Sequence, residues 1–120
     1  MYGNESQEMY LETILRLKRA KGSVRSVDVA EELGYSKPSV SRAVGIMKKD
    51  GLIVVRKDGS IELTKIGETK AENMLARFET LTEAFVKMGL PREIAEENAC
   101  RIEHVVSEEA FSAIRKYFYM

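Results

Sequence analysis

A chain of 120 residues, 44% hydrophobic and 8% aromatic, is ordinary globular material, enough for one domain or two small ones sharing a core, and nothing in it marks a disordered or fibrous protein. Its 19 basic and 19 acidic side chains cancel. The longest apolar runs are a few residues, and Met1 is followed by Tyr2-Gly3-Asn4-Glu5, so neither a transmembrane helix nor a signal peptide is expected, and the expected compartment is the cytoplasm, with no membrane partner.

In chain order, residues 6–21 place Met9, Leu11, Ile14, Leu15 and Leu17 at helical spacing, with Ser6 as the candidate cap and Gly22 as the stop. Ser26 precedes a shorter pattern through Val27, Val29, Ala30 and Leu33, halted at Gly34. Ser36-Lys37-Pro38 opens the next helix, where the missing N–H of proline costs nothing. There Val40, Val44 and Met47 form the inner stripe, and Lys37, Ser39, Ser41, Arg42, Gly45, Lys48 and Lys49 fall on or near the open faces. Two short helices joined by about three residues including a glycine have the helix-turn-helix pattern. The competing reading is a helical corner used only for packing.

Leu52 to Leu63 then carries Asp58-Gly59 between two β-prone runs, the signal for a hairpin. Helix, helix, helix, β-wing is the order of a winged helix-turn-helix domain, which favours DNA binding over simple packing. Arg56 and Lys57 at the wing are suited to backbone phosphates or a minor groove.

Charge agrees with this reading. Residues 1–70 hold 13 Lys and Arg against 10 Asp and Glu, and residues 71–120 hold 6 against 9. Residues 34–57 hold six basic residues (Lys37, Arg42, Lys48, Lys49, Arg56, Lys57) against the single acid Asp50, a local excess able to neutralise phosphates, or else a solvated helix face.

From Thr64 a long helix is expected to about Lys87, with Met74, Phe78, Leu81, Phe85 and Met88 spaced 4, 3, 4 and 3 residues apart. The stripe either covers its own core or pairs with a second subunit. Gly89-Leu90-Pro91 ends it; a helix from about Arg92 to Val105 follows, and Ser107 is the candidate cap of a last helix containing Ala110, Ile114 and Phe118.

The Arg92 helix carries Cys100-Arg101-Ile102-Glu103-His104, which holds the only cysteine and the only histidine of the chain. Positions i, i+3 and i+4 share one helical face, so sulfur, carboxylate and imidazole can converge on a divalent transition metal. A packed thiol, a solvated Glu and a hydrogen-bonded His would give the same letters. A lone cysteine forms no intramolecular disulfide, and a reducing compartment leaves its thiol available to metal.

These pieces together resemble the diphtheria-toxin-repressor and manganese-transport-regulator family of metal-dependent repressors. The resemblance rests on Glu8-Met9-Tyr10-Leu11, Ser36-Lys-Pro-Ser-Val-Ser-Arg42, Lys49-Asp-Gly-Leu52 and, most specifically, Glu97 to Ser107. It implies a mainly α fold: a winged helix-turn-helix domain with a small β-hairpin wing over 1–70, then a helical metal-binding and dimerisation domain over 71–120. The SH3-like third domain of some members is not expected within 120 residues. It also implies a homodimer that binds a palindromic operator in double-stranded DNA when loaded with a divalent metal.

Carried over residue by residue, the iron-type pattern puts Met9, Cys100, Glu103 and His104 at the effector site. The manganese type has Asp and Glu where this chain has Met9 and Cys100. Glu12 matches an acidic ligand of the manganese type and either joins the thioether or is a solvated surface residue. Sulfur donors favour Fe(II), Co(II), Ni(II) or Zn(II) over Mn(II), and by resemblance Fe(II) is expected. The family's second site has Phe78 in place of its usual His, with Thr82 and Glu96 at other ligand positions, so it is absent or rebuilt around neighbours such as Glu79, Glu83 and Glu96.

With Met9 in the first domain and the other donors in the second, metal would lock two bodies together and act as corepressor for metal-uptake genes. Swinging such an equilibrium from 1:99 to 99:1 takes about 5.5 kcal/mol. The DNA contacts expected are Ser36, Lys37, Pro38, Ser39, Ser41, Arg42, Lys48, Lys49, Arg56 and Lys57. Arg42 is the candidate reader of guanine, Pro38, Ser39 and Ser41 face base edges, thymine methyls or phosphates, and the lysines face phosphates. One rival is a winged-helix regulator answering to an organic molecule or protein partner, with the Cys/Glu/His cluster structural. The other, a hydrolytic metalloenzyme, lacks an evident base beside a substrate pocket and gives the basic wing no role.

Overall fold

The computed structural model describes residues 2–119, with side chains from residue 7 onward. It contains α1 (Tyr2–Lys21), α2 (Ser26–Leu33), α3 (Lys37–Lys49), β1 (Ile53–Val55), β2 (Ile61–Leu63), α4 (Lys65–Lys87), α5 (Arg92–Ile102) and α6 (Glu108–Tyr119). The chain divides into two units, one up to Glu72 and one from Asn73, with the boundary inside α4.

The first unit is a winged helix-turn-helix. Its α1 starts before the expected position, so Ser6 lies inside the helix rather than at its cap, and any bond made by the Ser6 side chain lies outside the described residues. Gly22, at φ 86°, closes it by donating to Lys18 O over 2.8 Å. Ser26 is likewise the first helical residue of α2. The N-cap is Arg25, whose backbone N–H donates to Asp28 Oδ2 at 2.8 Å, so the carboxylate three residues on ties down the helix start. Gly34 ends α2 in the left-handed region at φ 70°. Ser36 then caps α3 by accepting from Ser39 N at 3.3 Å, with Pro38 in the first turn.

Leu11, Ile14, Val24, Val29, Val40, Met47, Ile53 and Ile61 are all under 2% exposed and form the core of this unit. β1 and β2 pair antiparallel in the register Ile53↔Leu63, Val54↔Glu62, Val55↔Ile61. Arg56 N donates to Ser60 O and Gly59 N to Arg56 O, both at 2.9 Å, which leaves a three-residue loop, Lys57-Asp58-Gly59, with Gly59 at φ 88°. Ile61 N donates to Val24 O at 2.7 Å and Arg25 bridges to Ser60, fastening the α1–α2 connection along the wing.

Thr64 starts α4 by accepting from Gly67 N at 3.1 Å while its own hydroxyl donates to Gly51 O at 2.7 Å. Here the helix lies so close to the residue ahead of β1 that a β-carbon on Gly67 would stand 2.0 Å from Leu52 O. Only glycine fits.

The second unit packs α5 and α6 with the later turns of α4. Leu81 (1%) and Met74 (7%) are buried and Phe78 and Phe85 half-buried, whereas Met88 is 58% exposed, so the α4 stripe serves its own core for most of its length and leaves it at the end. The helix α5 ends three residues before the expected Val105. Ser107 caps α6, accepting from Ala110 N at 3.0 Å. That helix contains the expected Ala110, Ile114 and Phe118; its inward side is Phe111, Ile114 and Phe118, and Ala110 is exposed.

Candidate functional site

Two chemistries need placing: a basic face for nucleic acid and a donor set for metal. The basic face lies in the first unit. One side of α3 buries Val40, Val44 and Met47, and the opposite side exposes Lys37, Pro38, Ser39, Ser41, Arg42, Lys48 and Lys49 together with Ser36 at its cap. The Ser36 and Ser39 hydroxyls lie 2.8 Å apart and bond to each other, so both serve the helix start as well as its surface. The single acid of the stretch, Asp50, accepts from Gln7 Nε2 at 2.9 Å. Between the starts of α2 and α3, a shallow cleft of about 260 Å³ is lined by Ser26, Val27, Lys37 and Ser41. Two hydroxyls and an ammonium make it chemically suited to a phosphate.

At the wing, Arg56 and Lys57 are exposed. Asp58, between Lys57 and Gly59, does not cancel them freely. Its Oδ1 accepts from Ser60 Oγ at 2.7 Å and Ser60 N at 2.9 Å, and those two bonds, the hydroxyl first, hold its carboxyl below the ordinary 3.8. Glu62 on β2 takes Lys18 Nζ at 2.7 Å and Arg56 Nε at 3.7 Å, which anchors the stem of the wing.

One cation escaped the sequence reading. Arg25 sits ahead of α2 and reads as a loop residue, yet the bridge to Ser60 carries it to the wing, and its Nη1 comes within 3.9 Å of where a β-carbon on Gly59 would stand. No periodicity marks it, because a single bridge between positions 25 and 60 has no repeat to detect.

The candidate metal donors fall in both units, and each half has its own geometry. In the first unit, half-buried Met9 accepts on its sulfur from the Tyr35 hydroxyl at 3.4 Å. Glu12 is not a solvated surface residue: it is 2% exposed, and its Oε2 is 3.9 Å from Arg16 Nε.

In the second unit, the end of α5 decides the geometry. Glu103 keeps right-handed helical angles (φ −58°, ψ −30°) and donates its N–H to Ala99 O at 3.0 Å. His104 stands in the turn after it, closed by Val105 N and Val106 N on Ile102 O, both at 3.0 Å. The side chains of Glu103 and His104 are 1% and 5% exposed, and His104 Nε2 is 3.1 Å from Glu103 Oε1. Arg77 fastens this turn from α4, donating to Val106 O and lying 5.1 Å over the Phe111 ring.

Glu103 Oε2 is buried and accepts no hydrogen bond among the described residues. Leaving such an oxygen unsatisfied costs about 1–3 kcal/mol or more, and an incoming cation removes that cost. The donors here fit a divalent metal: a buried carboxylate beside an imidazole suits iron, zinc or manganese. Cys100 is exposed, so its thiol has to turn inward to join them. At the second site proposed by resemblance, Phe78 is half-buried and Thr82 buried, Glu83 pairs with Arg92 at 2.9 Å, and Glu79 and Glu96 are exposed. Among the described residues, no cluster of three metal-ligating side chains forms from Glu79, Glu83 and Glu96.

Comparison with known proteins agrees with this geometry. Residues 4–61 match the family model described as iron dependent repressor, N-terminal DNA binding domain, and residues 64–119 match its metal binding and dimerisation domain. The chain is 37% identical over 107 residues to the diphtheria toxin repressor of Corynebacterium diphtheriae, covering 88% of this chain and 47% of the relative. It is 34% identical over 108 residues to the transcriptional regulator MntR of Escherichia coli, covering 90% and 70%. The crystal structure of T. acidophilum IdeR superimposes with a TM-score of 0.82 at 26% identity, over 94% of this chain and 54% of that one. The chain thus spans about half the length of the first relatives it matches. By name, these relatives are a repressor and a transcriptional regulator. The fold, the exposed basic helix and both domain matches lead to one conclusion: the chain belongs to the iron-dependent repressor family.

Proposed function

We propose that this protein is a cytoplasmic, homodimeric repressor of metal-uptake genes that binds a palindromic operator when loaded with Fe(II) or a related divalent metal. The observation that carries the reading is the buried Glu103–His104 pair with its unsatisfied carboxylate oxygen, in a chain that also presents an exposed basic α3. The donor set proposed is Met9, Glu12, Cys100, Glu103 and His104. When bound, the metal supplies the positive charge that the buried carboxylates lack. The division we propose is a DNA-reading domain over 1–70 and a metal-binding and dimerisation domain over 71–120.

On DNA, Arg42 reads a guanine edge, Pro38, Ser39 and Ser41 meet bases or phosphates, and Lys37, Lys48, Lys49, Arg56 and Lys57 contact the backbone, with Ser36 at the start of the helix. Arg25 extends this set at the wing. Arg25→Ala is expected to weaken all DNA sequences alike and to reduce the salt slope by about one; an unchanged slope removes Arg25 from the interface.

The test is anaerobic capture of genomic fragments with and without Fe(II) or Mn(II), beside a Cys100→Ala/His104→Ala variant. Metal-tightened binding to discrete sites that the variant loses supports the reading. Equal binding without metal makes the cluster structural and points to an organic ligand or protein partner.

A further inference from the structure

Tyr35 lies in the three-residue connection between α2 and α3, and its side chain reaches back to α1 at two points. The hydroxyl donates to the Met9 thioether over 3.4 Å, and the ring meets Tyr10 edge-on, with centroids 5.9 Å apart and planes at 74°. Its backbone is held at the end of α2: Gly34 N and Tyr35 N both donate to Ala30 O, at 2.9 and 3.2 Å. The next residue is Ser36, the cap of α3. One side chain therefore ties a candidate metal donor to the residue from which the recognition helix starts. Spacing does not show it, because 26 residues separate Tyr35 from Met9.

A thioether sulfur has two lone pairs and is a weak acceptor. A hydroxyl on one of them leaves the other for a metal and fixes the direction in which it points. The Tyr35 backbone is anchored at the end of α2, so its side chain links the sulfur to the Gly34–Ser36 connection.

We infer that Tyr35 is a positioning residue: it orients the Met9 sulfur for the metal and transmits the position of that sulfur to the start of α3. The inference rests on the reading above, in which Met9 is a metal donor.

The test uses the full chain with Tyr35→Phe, which removes the hydroxyl and keeps the ring against Tyr10, together with Met9→Leu and the double variant. The readouts are affinity for Co(II) alone by anaerobic competition with a fluorescent chelator, the unfolding midpoint of metal-free protein, and binding to a captured genomic fragment with and without Co(II). Tyr35→Phe is expected to weaken Co(II) binding about threefold, the scale of one weak hydrogen bond, and to reduce the metal-induced gain in DNA affinity by a similar factor. The double variant is expected to lose no more Co(II) affinity than Met9→Leu alone, which a role confined to folding would not produce. The inference is overturned if Tyr35→Phe leaves Co(II) affinity unchanged, if its effect adds in full to that of Met9→Leu, or if DNA affinity falls equally with and without metal. If Met9→Leu itself leaves Co(II) affinity unchanged, the donor role of Met9 fails and the inference with it. A weakened Met9→Leu beside an unchanged Tyr35→Phe removes only the role of Tyr35.

Discussion

The two units place their charged groups in opposite ways. In the first, the cations of α3 stand exposed over a buried apolar stripe, and the wing adds Arg25, Arg56 and Lys57 in the same exposed state. In the second, Glu103 and His104 are drawn into the interior where α5 ends. Exposed cations meet an extended polyanion through many small contributions, each largely replaceable. A buried carboxylate beside an imidazole suits a small cation, and removing either partner leaves the other buried without it. The contrast separates a surface whose chemistry suits charge density from a pair whose chemistry suits an ion.

The largest effect is expected from the buried pair. Glu103→Gln should weaken binding of a divalent metal by more than about 100-fold, beyond what loss of a supporting shell residue costs, while the metal-free unfolding midpoint holds. Retained affinity in chelator competition would erase the contrast. Gly67→Ala should destabilise by about 2.5 kcal/mol in urea unfolding, because the new carbon meets Leu52 O at 2.0 Å and backbone cannot yield as a side chain does. That loss should fall on the first unit, so metal affinity measured well below the unfolding range should hold.

On the exposed face, Arg42→Ala should cost about 2 kcal/mol of discrimination at one operator position, read by binding to single-base variants. A loss equal across all variants would make Arg42 one more phosphate contact and the whole face a charge-density reader.

The smallest effect concerns pH. The hydrogen bond from Lys18, foremost, holds the Glu62 carboxyl below its ordinary 4.5. A carboxyl lowered on folding contributes stability that is complete above its unfolded value and fades as pH falls through the lower folded value. Both partners are partly exposed, at 37% and 29%, so the contribution should be well under about 1 kcal/mol. Glu62→Gln should lower the unfolding midpoint slightly at about pH 7, by an amount that shrinks as the pH falls below the ordinary carboxyl value; a difference that persists undiminished in acid would show that shape, not charge, anchors the wing.

Much of the first unit was legible because its signals are local. The Val40–Val44–Met47 stripe, the Ser36 cap and the Asp58-Gly59 turn each lie within a few residues. The differences within these elements are shifts of one to three residues along the chain. The helix α2 includes Ser26 and is secured at its start by Asp28, and α6 turns Phe111 inward while Ala110 is exposed. At α5 the helix stops at Ile102, so His104 is presented by a turn and not by a helical face.

By itself the sequence determined the order of elements, the basic exterior of α3 and the residue types grouped at the end of α5. Periodicity, capping and turn chemistry act over one or two turns, and these features follow from them. Only the tertiary structure decided that Glu12 and Glu103 are buried while Cys100 is exposed, that Arg25 belongs to the wing, and that Tyr35 holds Met9. Burial and long-range hydrogen bonds depend on which surfaces meet when the chain packs, and a one-dimensional pattern carries that information weakly.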